Sequence, residues 1–132
     1  MSAITLPTAT AVIEAATEKA REIGQPMNIA VVDDGGHLVA FVRMDGAIKA
    51  SIDISIRKAR TSILMNLPTS ALMPLVQPGA ELYGLEHTSG GMVIFGGGVL
   101  LTVAGEVIGA IGVSAGSVEQ DVSVAEAGAA AL

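Results

Sequence analysis

Apolar positions along the chain change period several times, and each change marks an element. Val12, Ile13, Ala16, Ala20 and Ile23 recur at helical spacing, which predicts a first helix over residues 6–23. Gly24 and Pro26 stop it. Residues 27–32 form a short, continuous, partly β-branched apolar run, the pattern of a buried strand. Asp33-Asp34-Gly35-Gly36 is turn chemistry, and residues 37–44 alternate well enough to be the return strand of a β-hairpin. Ile48, Ile52, Ala59, Ile63 and Leu67 then share one face of a second helix over residues 48–67. Asp53 lies in its earlier half and Arg57, Lys58 and Arg60 later, the order that suits the helix dipole. Pro68 ends this helix, and Thr69 is placed to cap a short helical turn through Leu75.

Periodicity is lost over residues 76–91, which hold Pro78, Gly79, Gly84, Gly90 and Gly91 together with Tyr83 and His87. A structureless loop of that length in a compact domain usually carries function. Apolar runs resume at residues 92–95, 99–104 and 106–114, broken by Gly96-Gly97-Gly98 and by a turn at Ala104-Gly105. They predict a final antiparallel pair and a short strand before it. Ser117 and Gln120 stand at the spacing of a capping box and open a last helix over residues 118–131. Helices mixed with antiparallel hairpins make the class α+β, in one domain over residues 1–132.

Composition changes this picture in three ways. The chain is 51% hydrophobic but only 2% aromatic, so its core is built of Ala, Val, Ile, Leu and Met. That much apolar residue in a small chain predicts a homo-oligomer that covers part of its surface. All seven Lys and Arg fall in residues 1–60, where seven acids balance them; residues 61–132 hold six acids and no Lys or Arg, the whole of the net −6. No basic face for a phosphate backbone results, so nucleic acid is not an expected partner. With no cysteine there is no disulfide, no thiolate metal site and no covalent c-type haem attachment. Residues 92–113 carry a single charge, Glu106, yet six glycines interrupt them, and two strands fit better than a membrane span. The first ten residues show no signal-peptide pattern, so the expected location is cytoplasmic.

The residues that carry chemistry cluster in the loop. His87, with Glu81, Tyr83 and Glu86 nearby in sequence, offers an imidazole for a haem iron or for proton transfer, and Tyr83 offers an alternative iron ligand. The bland alternative is a solvated loop. Arg43 and Lys58 can together clamp a carboxylate, or each can form an ordinary ion pair with Asp45 or Asp53. His37 reads as a turn-flanking residue. Asp33 and Asp34 read as turn residues, since neighbours on a strand face opposite ways. The methionines read as core filling. Gly96-Gly97-Gly98 lacks the Lys and the spacing of a phosphate loop. No metal-ligand cluster is apparent beyond a haem iron that His87 could hold.

Several of these stretches together resemble one family. Ala30-Val31-Val32-Asp33-Asp34-Gly35-Gly36-His37-Leu38-Val39-Ala40, Arg43-Met44-Asp45-Gly46-Ala47, Lys58-Ala59-Arg60-Thr61-Ser62, Ser89-Gly90-Gly91 and Gly105-Glu106-Val107-Ile108-Gly109-Ala110-Ile111-Gly112-Val113-Ser114 are similar to motifs of the GlcG/HbpS-type haem-binding family, which includes the C-terminal domain of PduO-type proteins. Asp121 stands at the acidic position that follows, and Ala115 stands where the family has Gly. The resemblance implies a profilin-like domain with a five-stranded antiparallel sheet flanked by helices, assembled as dimers up to octamers. It implies a small anionic ligand or haem as partner, with Arg43, Lys58, Tyr83, His87, Gly90 and Gly91 as binding residues. The competing expectation is a cofactor-independent hydrolase or proton-transfer enzyme acting on a small organic acid in a catabolic pathway, with His87, Glu81 and Glu86 as its catalytic groups. A purely structural or regulatory oligomer is the third reading.

Overall fold

The computed structural model describes residues 3–132. The elements run α1 (Leu6–Glu22), β1 (Asn28–Asp33), β2 (Leu38–Arg43), α2 (Ala50–Met65), three short 3-10 turns at Thr69–Ala71, Met73–Leu75 and Leu85–His87, then β3 (Gly98–Val103), β4 (Glu106–Ser114) and α3 (Val118–Ala129). The strands form one antiparallel sheet in the order β2-β1-β4-β3. The class is α+β as expected, but the sheet has four strands and not five.

The difference lies at residues 92–97. This segment keeps apolar side chains inside yet spends its backbone elsewhere. The Val93 amide donates to the Thr61 hydroxyl on α2, and Gly98 opens β3 by donating to the Thr69 hydroxyl. The run is buried without pairing as a strand because Met92 and Val93 donate to the Glu86 carbonyl and the Thr61 hydroxyl rather than to a ladder.

Helices cover both faces of the sheet. α1 and α3 pack side by side on one face, and α2 lies on the other. Central strand β1 is therefore buried on both sides, which explains its unbroken apolar run. Ile29 and Val31, paired with Val113 and Ile111, face α1 and α3. Ala30 and Val32, paired with Gly112 and Ala110, face α2, where the side chains are much smaller. Small residues let α2 settle close to the sheet. A Cβ on Gly112 would run into the carbonyl oxygen of Ser55 and the amide of Ala59.

The chain reversals follow their local chemistry. Ala104 and Gly105, both at positive φ, make the two-residue turn between β3 and β4. Asp33 Oδ1 accepts from the amides of Gly35 and His37 at 2.9 Å each and lies 3.1 Å from His37 Nδ1, an Asx-type closure of the first hairpin. These amide bonds, His37's foremost, hold the Asp33 carboxyl below its ordinary value. α2 stops at Asn66, whose left-handed conformation (φ 54°) turns the chain out of the helix before Pro68. Ser117 and Gln120 form the complete capping box of α3.

Candidate functional site

The long loop over residues 76–91 is held to the body of the protein by α2. Arg57 is the fastening. Its Nε donates to Asp53 Oδ2 one turn earlier at 2.8 Å, and its Nη1 donates to the carbonyls of Gly90 at 2.6 Å and Gly91 at 3.2 Å. Ser89, Gly90 and Gly91 all have positive φ, so the chain curls sharply as it reaches the helix. Glycine is required at position 91: its φ is 102°, and a Cβ there would lie 2.5 Å from Arg57 Nη1. Arg60, one turn after Ile56, approaches Gly90 from the same side. A shallow cavity of about 300 Å³ lies among Asp53, Ile56, Arg57, Arg60 and Gly90.

Beyond this fastening the loop folds on itself. The Leu82 amide donates to Leu75 O at 3.0 Å, Tyr83 to Ala80 O at 3.2 Å and Met92 to Glu86 O at 3.0 Å. Tyr83 is 67% exposed, and Glu81 and His87 also face solvent. Glu86 is half-buried, and its Oε1 is enclosed without a hydrogen-bond partner. The four share one loop, and no hydrogen bond joins their side chains. Among the described residues no group of three His, Cys, Asp or Glu side chains is arranged to hold a metal ion.

Arg43 and Lys58 do not meet. Arg43 ends edge strand β2, is exposed, and lines a cavity beside α1 with Arg21. Lys58 is fully buried on α2. Its Nζ donates to Asp121 Oδ2 at 2.9 Å and to Val113 O at 2.8 Å, and it lies 5.1 Å from the centre of the Phe95 ring. Burial pushes the Lys58 amine down and the Asp121 carboxyl up, each opposed by the attraction of its partner. Two further bonds favour the charged pair: Val113 O accepts from the ammonium, and the Gly116 amide donates to Asp121 Oδ1 at 2.9 Å. Local spacing offers Lys58 only Asp45 or Asp53. Its actual partner is 63 residues away, beyond any local signal. Arg57 and Arg60 look like helix-dipole charges in the sequence for the same reason, since their approach to Gly90 joins distant segments.

Among the described residues no helix is long and apolar enough to cross a membrane. A family model described as haem-degrading protein, HbpS-like, matches residues 4–130. An uncharacterised 15.0 kDa protein encoded between dhaT and dhaS in Citrobacter freundii is 46% identical over 127 residues, covering 96% of this chain and 89% of that protein. The corrinoid adenosyltransferase PduO of Salmonella typhimurium is 42% identical over 119 residues, 89% of this chain, but the match spans only 35% of PduO's length. Among solved structures, a PduOC:heme complex superposes with a TM-score of 0.93 at 39% identity, covering 98% of this chain and 95% of that one. A double mutant of HbpS from Streptomyces reticuli superposes with a TM-score of 0.91 at 34% identity, covering 100% and 88%.

Proposed function

The chain belongs to the HbpS-like family, and on that premise we propose that it is a small-ligand-binding protein that holds haem non-covalently against the loop over residues 79–91. The observation that carries this reading is the loop itself: a solvent-facing phenol and imidazole, Tyr83 and His87, stand a few residues from a glycine pair fastened by Arg57 and flanked by Arg60. The residue types fit the group. Tyr83 or His87 would ligate the haem iron, Arg57 and Arg60 would supply cations for the propionates, and the partly exposed Leu75 and Leu82 would supply apolar surface for the ring. A PduOC relative with a similar fold has been solved with heme, which supports haem as the ligand class.

When bound, haem supplies redox chemistry at its iron. The chain's part is binding and orientation. Arg57 is the pivot, because its bonds to Gly90 and Gly91 fix the end of the loop that carries His87. Hemin titration tests the reading: a Soret shift saturating near one haem per chain is expected. If His87→Ala and Tyr83→Phe both leave the bound spectrum unchanged, the ligand assignment fails.

One observation favours a second reading, an enzyme acting on a small organic acid. Glu86 Oε1 is enclosed without a partner, next in sequence to His87. The cavity among Arg57, Arg60 and Gly90, three residues past His87, would take the substrate's carboxylate. Solvent deuterium exchange into simple carboxylic acids, lost in Glu86→Gln, tests it.

The partly exposed Leu64, Leu67, Met73 and Leu75 support self-association, from dimer to octamer. Light scattering at micromolar concentration should give a mass above that of one 13.2 kDa chain.

A further inference from the structure

A groove runs between α1 and edge strand β2, on the side of the molecule where α1 meets the sheet, and it has two chemically distinct ends. One end is a cavity of about 600 Å³ lined by the apolar Ile13, Ala40, Phe41 and Val42 and by the exposed Glu14 and Glu18. The other is a cavity of about 440 Å³ lined by Arg21, Arg43, Met44 and Asp45. Thr17, Arg21 and Val42 line both, so the two are continuous. The α1 residues that border the groove run from Thr10 to Arg21, about 16 Å of helix.

The two arginines are not neutralised. Arg21 has only Glu18, at 3.5 Å, and both side chains are at least two-thirds exposed. Such a surface pair is weak. Arg43 has no salt-bridge partner among the described residues, although Asp45 lines the same cavity. Two guanidiniums from separate elements lining one cavity form a donor set for a carboxylate. The apolar stretch leading away from them suits a hydrocarbon body. Glu14, two helical turns before Arg21, opposes a second negative charge at the other end.

We propose that this groove binds an amphipathic organic monocarboxylate, with its head on Arg21 and Arg43 and its apolar body along Ile13, Phe41 and Val42. The site is separate from the loop over residues 79–91 and does not depend on haem binding there. Thr17, where the two cavities join, adds a hydroxyl beside the head group.

Equilibrium dialysis of the intact protein with radiolabelled decanoate tests the proposal. Saturable binding near one per chain is expected. Arg21→Gln and Arg43→Gln, both at exposed positions, should each weaken it about tenfold and together abolish it. Sebacate, with a carboxylate at each end, should bind about tenfold more weakly because Glu14 faces its second charge. His87→Ala should leave decanoate binding unchanged. No saturable binding, equal affinity in the arginine variants, or loss of binding in His87→Ala each overturns the proposal. If decanoate fails to bind and Arg43→Gln lowers the mass by light scattering, the groove is occupied by a second copy of the chain and the proposal is likewise overturned.

Discussion

The ammonium of Lys58 lies 2.9 Å from a carboxylate oxygen of Asp121, with the two side chains 0% and 4% exposed, so the pair joins α2 to α3 through the interior. The remaining Asp121 oxygen accepts from the Gly116 amide, and Lys58 also bonds Val113 O on β4. Removing one partner strands the other charge. Lys58→Ala is expected to cost about 3–5 kcal/mol of unfolding free energy. The double variant Lys58→Met/Asp121→Leu should recover most of that loss, because an apolar pair of similar volume carries no desolvation cost. Urea unfolding of the single and double variants measures both. A Lys58→Ala loss below about 1 kcal/mol would show that the pair is not buried as described.

Ala115 follows β4 with φ 144°, a conformation that glycine adopts freely and alanine does not. A non-glycine residue held in such a region costs about 1–3 kcal/mol, and glycine's extra freedom in the unfolded chain returns part of that. Ala115→Gly should therefore stabilise the protein by about 1 kcal/mol, seen as a higher urea midpoint with an unchanged slope.

Gly112 sits where α2 approaches β4 most closely, and backbone atoms of Ser55 and Ala59 occupy the space of a side chain. Backbone cannot rotate out of the way, so Gly112→Ala must lift the helix from the sheet. A loss of about 2 kcal/mol or more is expected. The same substitution at Gly105, which has φ 80° but no atom within 4 Å of where a Cβ would stand, should act through turn strain alone and cost less. Urea midpoints of the two variants, compared side by side, check the order.

Asp33 gives the fold a measurable pH dependence. Its folded-state value lies below the ordinary 3.8, so the ionised carboxylate adds stability above about pH 3.8 that is lost as pH falls through the lowered value. Asp33→Asn keeps an acceptor for the Gly35 and His37 amides but not the charge. The stability gap between Asp33→Asn and the parent should be largest at neutral pH and should close as pH falls below the ordinary 3.8 and through the lowered value. A gap that stays constant across that range would count against an ionised Asp33 as the source.

Arg57 links the helix to the loop. Arg57→Gln keeps the fold but removes the contacts to Gly90 and Gly91. Amide hydrogen exchange over residues 86–92 should quicken by about tenfold, and hemin affinity should fall with it if the loop is the haem site. Exchange that is unchanged would mean other contacts hold the loop.

Much of the fold was legible because its signals are local. The helical spacing of Val12, Ala16 and Ala20, the Ala104-Gly105 turn and the Ser117/Gln120 box each sit within a few residues. The strand expected over residues 92–95 was not there because its amide partner, Thr61, lies on a helix 32 residues away, which apolar pattern cannot show. The site was legible only in part. Loop composition marked out Tyr83, Glu86 and His87, while Arg57's grip on Gly90 and the shared cavity of Arg21 and Arg43 arise from segments brought together only by folding.

Lys58 and Asp121 also set an order of assembly. As the chain emerges from its N-terminus, α2 and the first hairpin are complete long before α3 exists, and β1 still lacks β4 as its neighbour. Until residues beyond Ser117 arrive, Lys58 has no counter-charge in the place where the finished sheet would bury it. Without α3, Lys58 would keep its bond to Val113 O but have no carboxylate to offset the burial of its charge. The twelve-residue helix α3 therefore carries the counter-charge on which the burial of Lys58 between α2 and the sheet depends.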